Sequence, residues 1–205
     1  MTTQRVMLCV LVSLLPAVVA SGIFFGVRAI LLVLTCTLGS VAMEGWCRIL
    51  MKRTQTISDL SAAVTGLLLA LNLPVTMPAW QALIGCFVAI VIVKQLFGGL
   101  GQNFANPAIV ARIVLMVSFT SNMTTWAIPQ YWKEAGTDVV TGATPLVSGT
   151  ASYRDLFLGN TGGCIGETCA LALLIGGVYL VLRGIIHPIT PVAFLGTMAL
   201  LNLIA

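Results

Sequence analysis

Apolar blocks recur along this chain at close to the roughly 20 residues that a helix needs to cross a lipid bilayer. Residues 6–25 and 29–50 form the first two, and the second ends on the basic pair Lys52-Arg53. Shorter or broken blocks follow at 59–73, 80–97, 107–126 and 167–182, and a seventh begins near Pro191. Only 8% of the 205 residues are charged while 59% are hydrophobic, against roughly 25% charged in soluble domains. The pattern predicts an all-α, polytopic membrane helix bundle. The net charge of +4 comes from basic residues spread singly along the chain apart from Lys52-Arg53, so it reads as loop bias and no nucleic-acid partner is expected. Six cysteines show no CxxC spacing and His187 is the sole histidine, so no metal site is expected either. The first block has no small-residue cleavage box, which argues against a cleavable signal.

The Lys and Arg positions set an orientation. With Lys52-Arg53 in the cytoplasm, Arg5, Arg48 and Arg183 also fall inside, whereas Arg28, Lys133 and Arg154 fall outside. The long polar stretch 127–163 then faces outward. Ionisable residues inside spans are functional candidates by default, but each has an ordinary reading here. Glu44 precedes Arg48 by four residues, the favourable order for a helical ion pair. Lys94 and Arg112 are expected to snorkel to the inner surface. Glu167 is expected in the first turn of span six, complementing the helix dipole. Ser58 is the expected cap of span three. Asn106 is the expected cap of span five, with Pro107 at its first position.

Two stretches interrupt this regularity. Gly98-Gly99-Leu100-Gly101-Gln102-Asn103, followed by Asn106-Pro107, is rich in residues that free the backbone. Irregular backbone survives at membrane depth only where protein or a water-filled cavity shields it. The break therefore reads either as a discontinuous element lining a cavity or ion path, or as a re-entrant turn with no ligand. It is not a dinucleotide fingerprint, since no strand precedes it and the third glycine is absent. Asn72, before Leu73-Pro74 at the end of span three, is its expected partner across the cavity. The second stretch is Asp138-Val139-Val140-Thr141-Gly142-Ala143-Thr144-Pro145. Pro145 biases Thr144 towards extended backbone, and Gly142 and Ala143 are too small to shield its hydroxyl. Such a loop is either an ordinary turn or a hydroxyl presented to a modifying enzyme.

Several segments in order carry a resemblance. They are Thr3-Gln4-Arg5-Val6-Met7-Leu8, Asp59-Leu60-Ser61-Ala62-Ala63-Val64-Thr65-Gly66 with Leu71-Asn72-Leu73-Pro74, and Lys94-Gln95-Leu96-Phe97-Gly98-Gly99-Leu100-Gly101 with Asn106-Pro107-Ala108. The Asp138 loop and Gly166-Glu167-Thr168 complete the set. Over essentially its whole length the chain resembles the D subunits of Rnf ion-translocating oxidoreductase complexes (the NqrB/RnfD family). The resemblance implies covalent FMN, joined by a phosphoester to Thr144, with Asp138, Thr141, Gly142 and Ala143 as the flavinylation motif. It leaves open a second, non-covalent flavin of riboflavin type, with no residue assigned to it. It implies redox chemistry supplied by the cofactor, so no catalytic acid, base or nucleophile is expected. The fold it implies has urea-transporter-like inverted repeats: a first repeat at 1–126, a flavin-carrying loop at 127–163, and the start of a second repeat at 164–205. Family chains run on past Ala205, so most of the second repeat is expected to be missing. Implied partners are the A, B, C, E and G subunits, membrane lipid and a flavin transferase. The implied location is a prokaryotic cytoplasmic membrane. Gly98, Gly99, Gly101, Asn103, Asn106 and Asn72 are the candidate cavity or ion path. A urea-transporter-like solute channel or a non-redox assembly subunit is the alternative function.

Overall fold

Helices α1 (Thr3–Phe25) and α2 (Val27–Leu50) form an antiparallel pair joined by Gly26 alone. Gly26 has φ +71°, a backbone conformation that a residue without a Cβ adopts at little cost. The computed structural model describes residues 2–129, 141–142 and 152–204. Both helices are long and apolar enough to cross a membrane. Leu8, Leu15, Val19 and Ile23 on α1 are exposed, as expected of a helix whose outer face meets lipid.

A short 3-10 turn, Ile57–Asp59, leads into α3 (Ser61–Leu71). Ser58 does not cap this helix. Asp59 takes that role, its Oδ1 accepting from the Ser61 N–H at 2.8 Å and from the Ser61 hydroxyl at 2.6 Å. The chain enters through Leu60 at φ +62°, and that left-handed residue brings Asp59 into reach. With 11 residues, α3 is about 16 Å long at 1.5 Å per residue, roughly half a hydrocarbon core. It is buried on nearly every side, as a helix apolar all round should be. Gly66 permits this: a Cβ there would sit 2.5 Å from the Cys36 carbonyl oxygen and 2.7 Å from Ser40 Oγ.

Helix α4 begins at Ala79 and is regular to Phe87, then continues from Val88 to Gln95 as a π-helix. The Leu96 N–H accordingly reaches back to the Val91 carbonyl, and the Gly99 N–H to that of Lys94. Helix α5 (Pro107–Ser118) starts as its sequence indicates, with Asn106 Oδ1 accepting from the Ala108 N–H at 3.1 Å. It stops eight residues short of Trp126. Phe119, at φ −131° and ψ +49°, leaves helical geometry, and only the four-residue α6 (Thr120–Met123) follows. The core lies where α2, α3, α4 and α5 meet, around Cys36, Leu69, Ala70, Ala89, Ala111 and Leu115.

Strand β1 (Trp126–Ala127) pairs antiparallel with β2 (Thr141–Gly142), Trp126 opposite Gly142 and Ala127 opposite Thr141. The stretch expected as loop also holds a short helix, α7 (Tyr153–Leu158), capped by Ser152. The chain then straps the C-terminal end of α3: the Ile165 N–H donates to the Leu73 carbonyl at 3.0 Å and the Gly166 N–H to that of Leu71 at 2.8 Å. The Leu71 carbonyl belongs to the last turn of α3, which has no internal donor to offer it, and that of Leu73 lies just beyond the helix. Helix α8 (Ala170–Leu182) packs on α1 where Gly176 meets the Ser13 backbone so closely that a Cβ would overlap its carbonyl oxygen. Glu167 therefore precedes α8 by three residues and does not sit in its first turn. Helix α9 (Ile189–Ile204) carries exposed Val192, Phe194, Leu195 and Met198.

Candidate functional site

Among the described residues, clusters that include charged side chains lie at each end of α3. At its N-terminal end, Glu44 of α2 is fully buried. Lys94 Nζ lies 3.0 Å from Glu44 Oε1, and the same oxygen accepts from Gln95 Nε2. Lys94 also donates to Ser61 Oγ at 2.6 Å. The π-helix produces this arrangement by letting Lys94 and its neighbour Gln95 both address one carboxylate. Lys94 thus points into the core and does not snorkel. Arg48 keeps only a 3.9 Å approach to Glu44 and spends its Nη1 on the Thr54 carbonyl at 2.6 Å. Glu44 Oε2, Gln95 Oε1 and Arg48 Nε have no partner among the described residues.

The glycine break adjoins this cluster. Gly98, Gly99 and Gly101 have φ of +116°, +101° and +86°. A Cβ on Gly99 would lie 2.9 Å from Arg48 Nη2, whereas Gly101 faces open space. Gly101 is needed for its backbone, then, and not for room. Asn103 Oδ1 is buried with no partner among the described residues. Asn106 is occupied as the cap of α5.

Asn72 does not join these residues. It ends α3 eleven residues beyond Ser61, on the far side of the helix from the Lys94 cluster. The expected cavity between Asn72 and the break is therefore replaced by another, of about 280 Å³, at the C-terminal end of α3. Its walls include Asn72, Arg112, Cys164, Gly166, Glu167 and Leu173. Arg112 Nη1 donates to Asn72 Oδ1 at 2.8 Å, and Nη2 lies 3.5 Å from Cys164 Sγ. Asn72 is itself held by its Nδ2, which donates to the Leu68 carbonyl at 2.8 Å. Arg112, expected at the inner surface, instead turns along α5 towards this cavity. Burial pushes the Cys164 thiol up to about 12 against the pull of Arg112, so the arginine faces a neutral sulfur. Among the described residues no carboxylate lies within 4.0 Å of its guanidinium.

Of the flavinylation motif, Thr141 and Gly142 lie on β2, tied to Trp126–Ala127. Asp138, Ala143 and Thr144 lie outside the described residues. Sequence reasoning missed both the Glu44–Lys94 pair and the Arg112–Asn72 bond, whose members are 50 and 40 residues apart and share no periodicity. The only available signal was a charged residue inside an apolar helix.

A family model described as the NQR2, RnfD, RnfE family matches residues 1–205. The chain belongs to this family. Among NQR2/RnfD/RnfE relatives, the D subunit of the Na(+)-translocating ferredoxin:NAD(+) oxidoreductase complex of Acetobacterium woodii is 46% identical over 213 residues, covering 99% of this chain and 65% of that protein. Its counterpart in the proton-translocating ferredoxin:NAD(+) oxidoreductase complex of Clostridium ljungdahlii is 37% identical, covering 98% of this chain and 64% of that protein. The corresponding protein of the ion-translocating oxidoreductase complex of Stutzerimonas stutzeri is 37% identical, covering 100% and 67%. The chain thus spans about two thirds of the length of these relatives. A helical membrane protein of the NQR2/RnfD/RnfE family is what the fold and the match agree on.

Proposed function

We propose that this chain acts as the D-type membrane subunit of an ion-translocating ferredoxin:NAD(+) oxidoreductase, bearing FMN as a phosphoester on Thr144. The observation that carries the proposal is the 46% identity to such a subunit across 99% of the chain. The motif Asp138, Thr141, Gly142, Ala143, Thr144 stands in it intact. The flavin supplies the electron-transfer chemistry. The chain's own residues tether it and, through the strand pairing of Thr141–Gly142 with Trp126–Ala127, tie the tether to the end of the bundle. The reading places the chain as a multi-pass protein of a prokaryotic cytoplasmic membrane, with the Thr144 loop extracytoplasmic, where a flavin transferase works. Its partners are the A, B, C, E and G subunits, and the transported ion is Na⁺ or H⁺.

The test is expression with and without the transferase, followed by flavin fluorescence of the denatured chain in a gel and mass spectrometry of the peptide around Thr144. The expected result is fluorescence and one FMN-sized mass increment only with the transferase, both lost in Thr144→Ala. An unmodified peptide from the competent host rejects the proposal.

A further inference from the structure

Two of the six cysteines meet inside the bundle. Cys36 on α2 and Cys86 on α4 are 50 residues apart in the chain, and both are 0% exposed. Cys86 Sγ donates to the Cys36 carbonyl at 3.5 Å, and the two thiols lie within hydrogen-bonding reach of each other. The packing around them fixes this meeting. Glu44 and Lys94 lie eight residues further along the same two helices and are joined there at 3.0 Å. Gly39, three residues after Cys36, makes room for Leu83, three residues before Cys86, since a Cβ on Gly39 would lie 2.6 Å from Leu83 Cδ2. Among the described residues no group of three or more His, Cys, Asp or Glu could hold a metal ion, so the chemistry open to this pair is with each other. A thiolate at this depth is a buried charge and costly, which protects the pair from thiolate-dependent exchange. A disulfide is neutral and suits the apolar surroundings.

We propose that Cys36 and Cys86 are a redox-sensitive pair whose disulfide locks α2 to α4. In the step, two S–H bonds break and one S–S bond forms, and each thiol gives up one proton and one electron. A small neutral two-electron oxidant takes up both electrons and both protons. Dioxygen, which leaves as hydrogen peroxide, and a diazene, which leaves as the hydrazine, are of this class. Charge decides access: a neutral oxidant dissolves in hydrocarbon and enters the core, whereas a charged disulfide stays in water. The bridge would close a loop between positions 50 residues apart in the unfolded chain, and loops of that length are where a disulfide stabilises most.

The experiment treats the full chain, folded in detergent, with the neutral diazene diamide. Remaining thiols are then blocked under denaturing conditions and the tryptic peptides are read by mass spectrometry. The expected product is residues 29–48 joined to residues 54–94 with the loss of two hydrogens, and it is reversed by dithiothreitol. Cys36→Ala and Cys86→Ala should each abolish it, whereas Cys47→Ala should not, although Cys47 lies in the same peptide as Cys36. Oxidised glutathione, which is charged, is expected to give about tenfold less of it at equal concentration. The thermal midpoint of the diamide-treated chain is expected to rise by about 5–10 °C. Absence of the joined peptide overturns the proposal, as does its persistence in Cys36→Ala or an equal yield with glutathione. A cross-linked chain with an unchanged midpoint overturns the lock. Should Cys36→Ala not accumulate, fragment ions of the joined peptide from the unsubstituted chain assign the sulfur, and a link at Cys47 overturns the proposal.

Discussion

Lys94 and Arg112 are both cations set into apolar helices, yet they occupy opposite kinds of site. Lys94 is 1% exposed and closed in by Glu44 and Ser61. Arg112 is half-buried, bonded to a neutral amide and a thiol, and opens onto a cavity. A closed ion pair can do little but hold α2, α3 and α4 together. An open cation with donors to spare can take a ligand. The two sites lie at the two ends of one short helix, one sealed and one open to a cavity.

The largest effect that would sharpen this contrast is at the closed site. Lys94→Met leaves the buried Glu44 carboxylate with only the 3.9 Å approach of Arg48 as counter-charge, and is expected to cost about 3–5 kcal/mol. Adding Glu44→Gln should return much of that loss. Thermal unfolding in detergent measures both, and a double variant as unstable as the single one would break the view of a self-contained pair. Next comes Gly66→Val, which forces a side chain onto the Cys36 carbonyl and Ser40 and should destabilise by roughly 1–3 kcal/mol. Asn106→Ala removes the cap of α5 at a cost of about 1 kcal/mol. Arg112→Gln should cost about as little, roughly 1 kcal/mol, because the guanidinium is half-buried and its partners are a neutral amide and a thiol. The smallest effect is chemical. Reagents attack the thiolate, so with its thiol held near 12 and its sulfur buried, Cys164 should label far more slowly at about pH 8 than half-buried Cys169. Peptide mapping after a short maleimide pulse reads the ratio, and equal labelling would mean that the Arg112 cavity admits water freely.

Much of the scaffold was legible in the residues themselves. The ends of α1 and α2 follow the apolar blocks, and Asn106-Pro107 announces α5 because cap and first-position proline are local devices. The positive φ of Gly98, Gly99 and Gly101 follows the same logic. What failed depends on partners distant in the chain or, at Asp59, on a left-handed backbone residue. Ser58 looked like a cap because Asp59 reaches the helix only through a left-handed Leu60. Lys94 looked like a snorkelling residue because nothing around it betrays Glu44. Asn72 was grouped with the glycine break because both interrupt helices, although a helix length separates them. Glu167 was placed one turn too far along because the strap onto Leu71 and Leu73 uses residues that read as helix.

The widened turn at Val88–Gln95 carries a consequence for how this chain tolerates change. A π-helix holds one residue more than the regular spiral requires, so every side chain after it is rotated by about 100° from where an uninterrupted helix would put it. Removing a single residue between Val88 and Val93 would take up that excess and restore a regular helix with Lys94 on its present face, whereas a regular helix built from all the residues present would swing its ammonium by about 100° away from the carboxylate of α2. In this stretch a one-residue deletion should therefore do less harm than the same deletion in a regular helix, where nothing is in excess to absorb it.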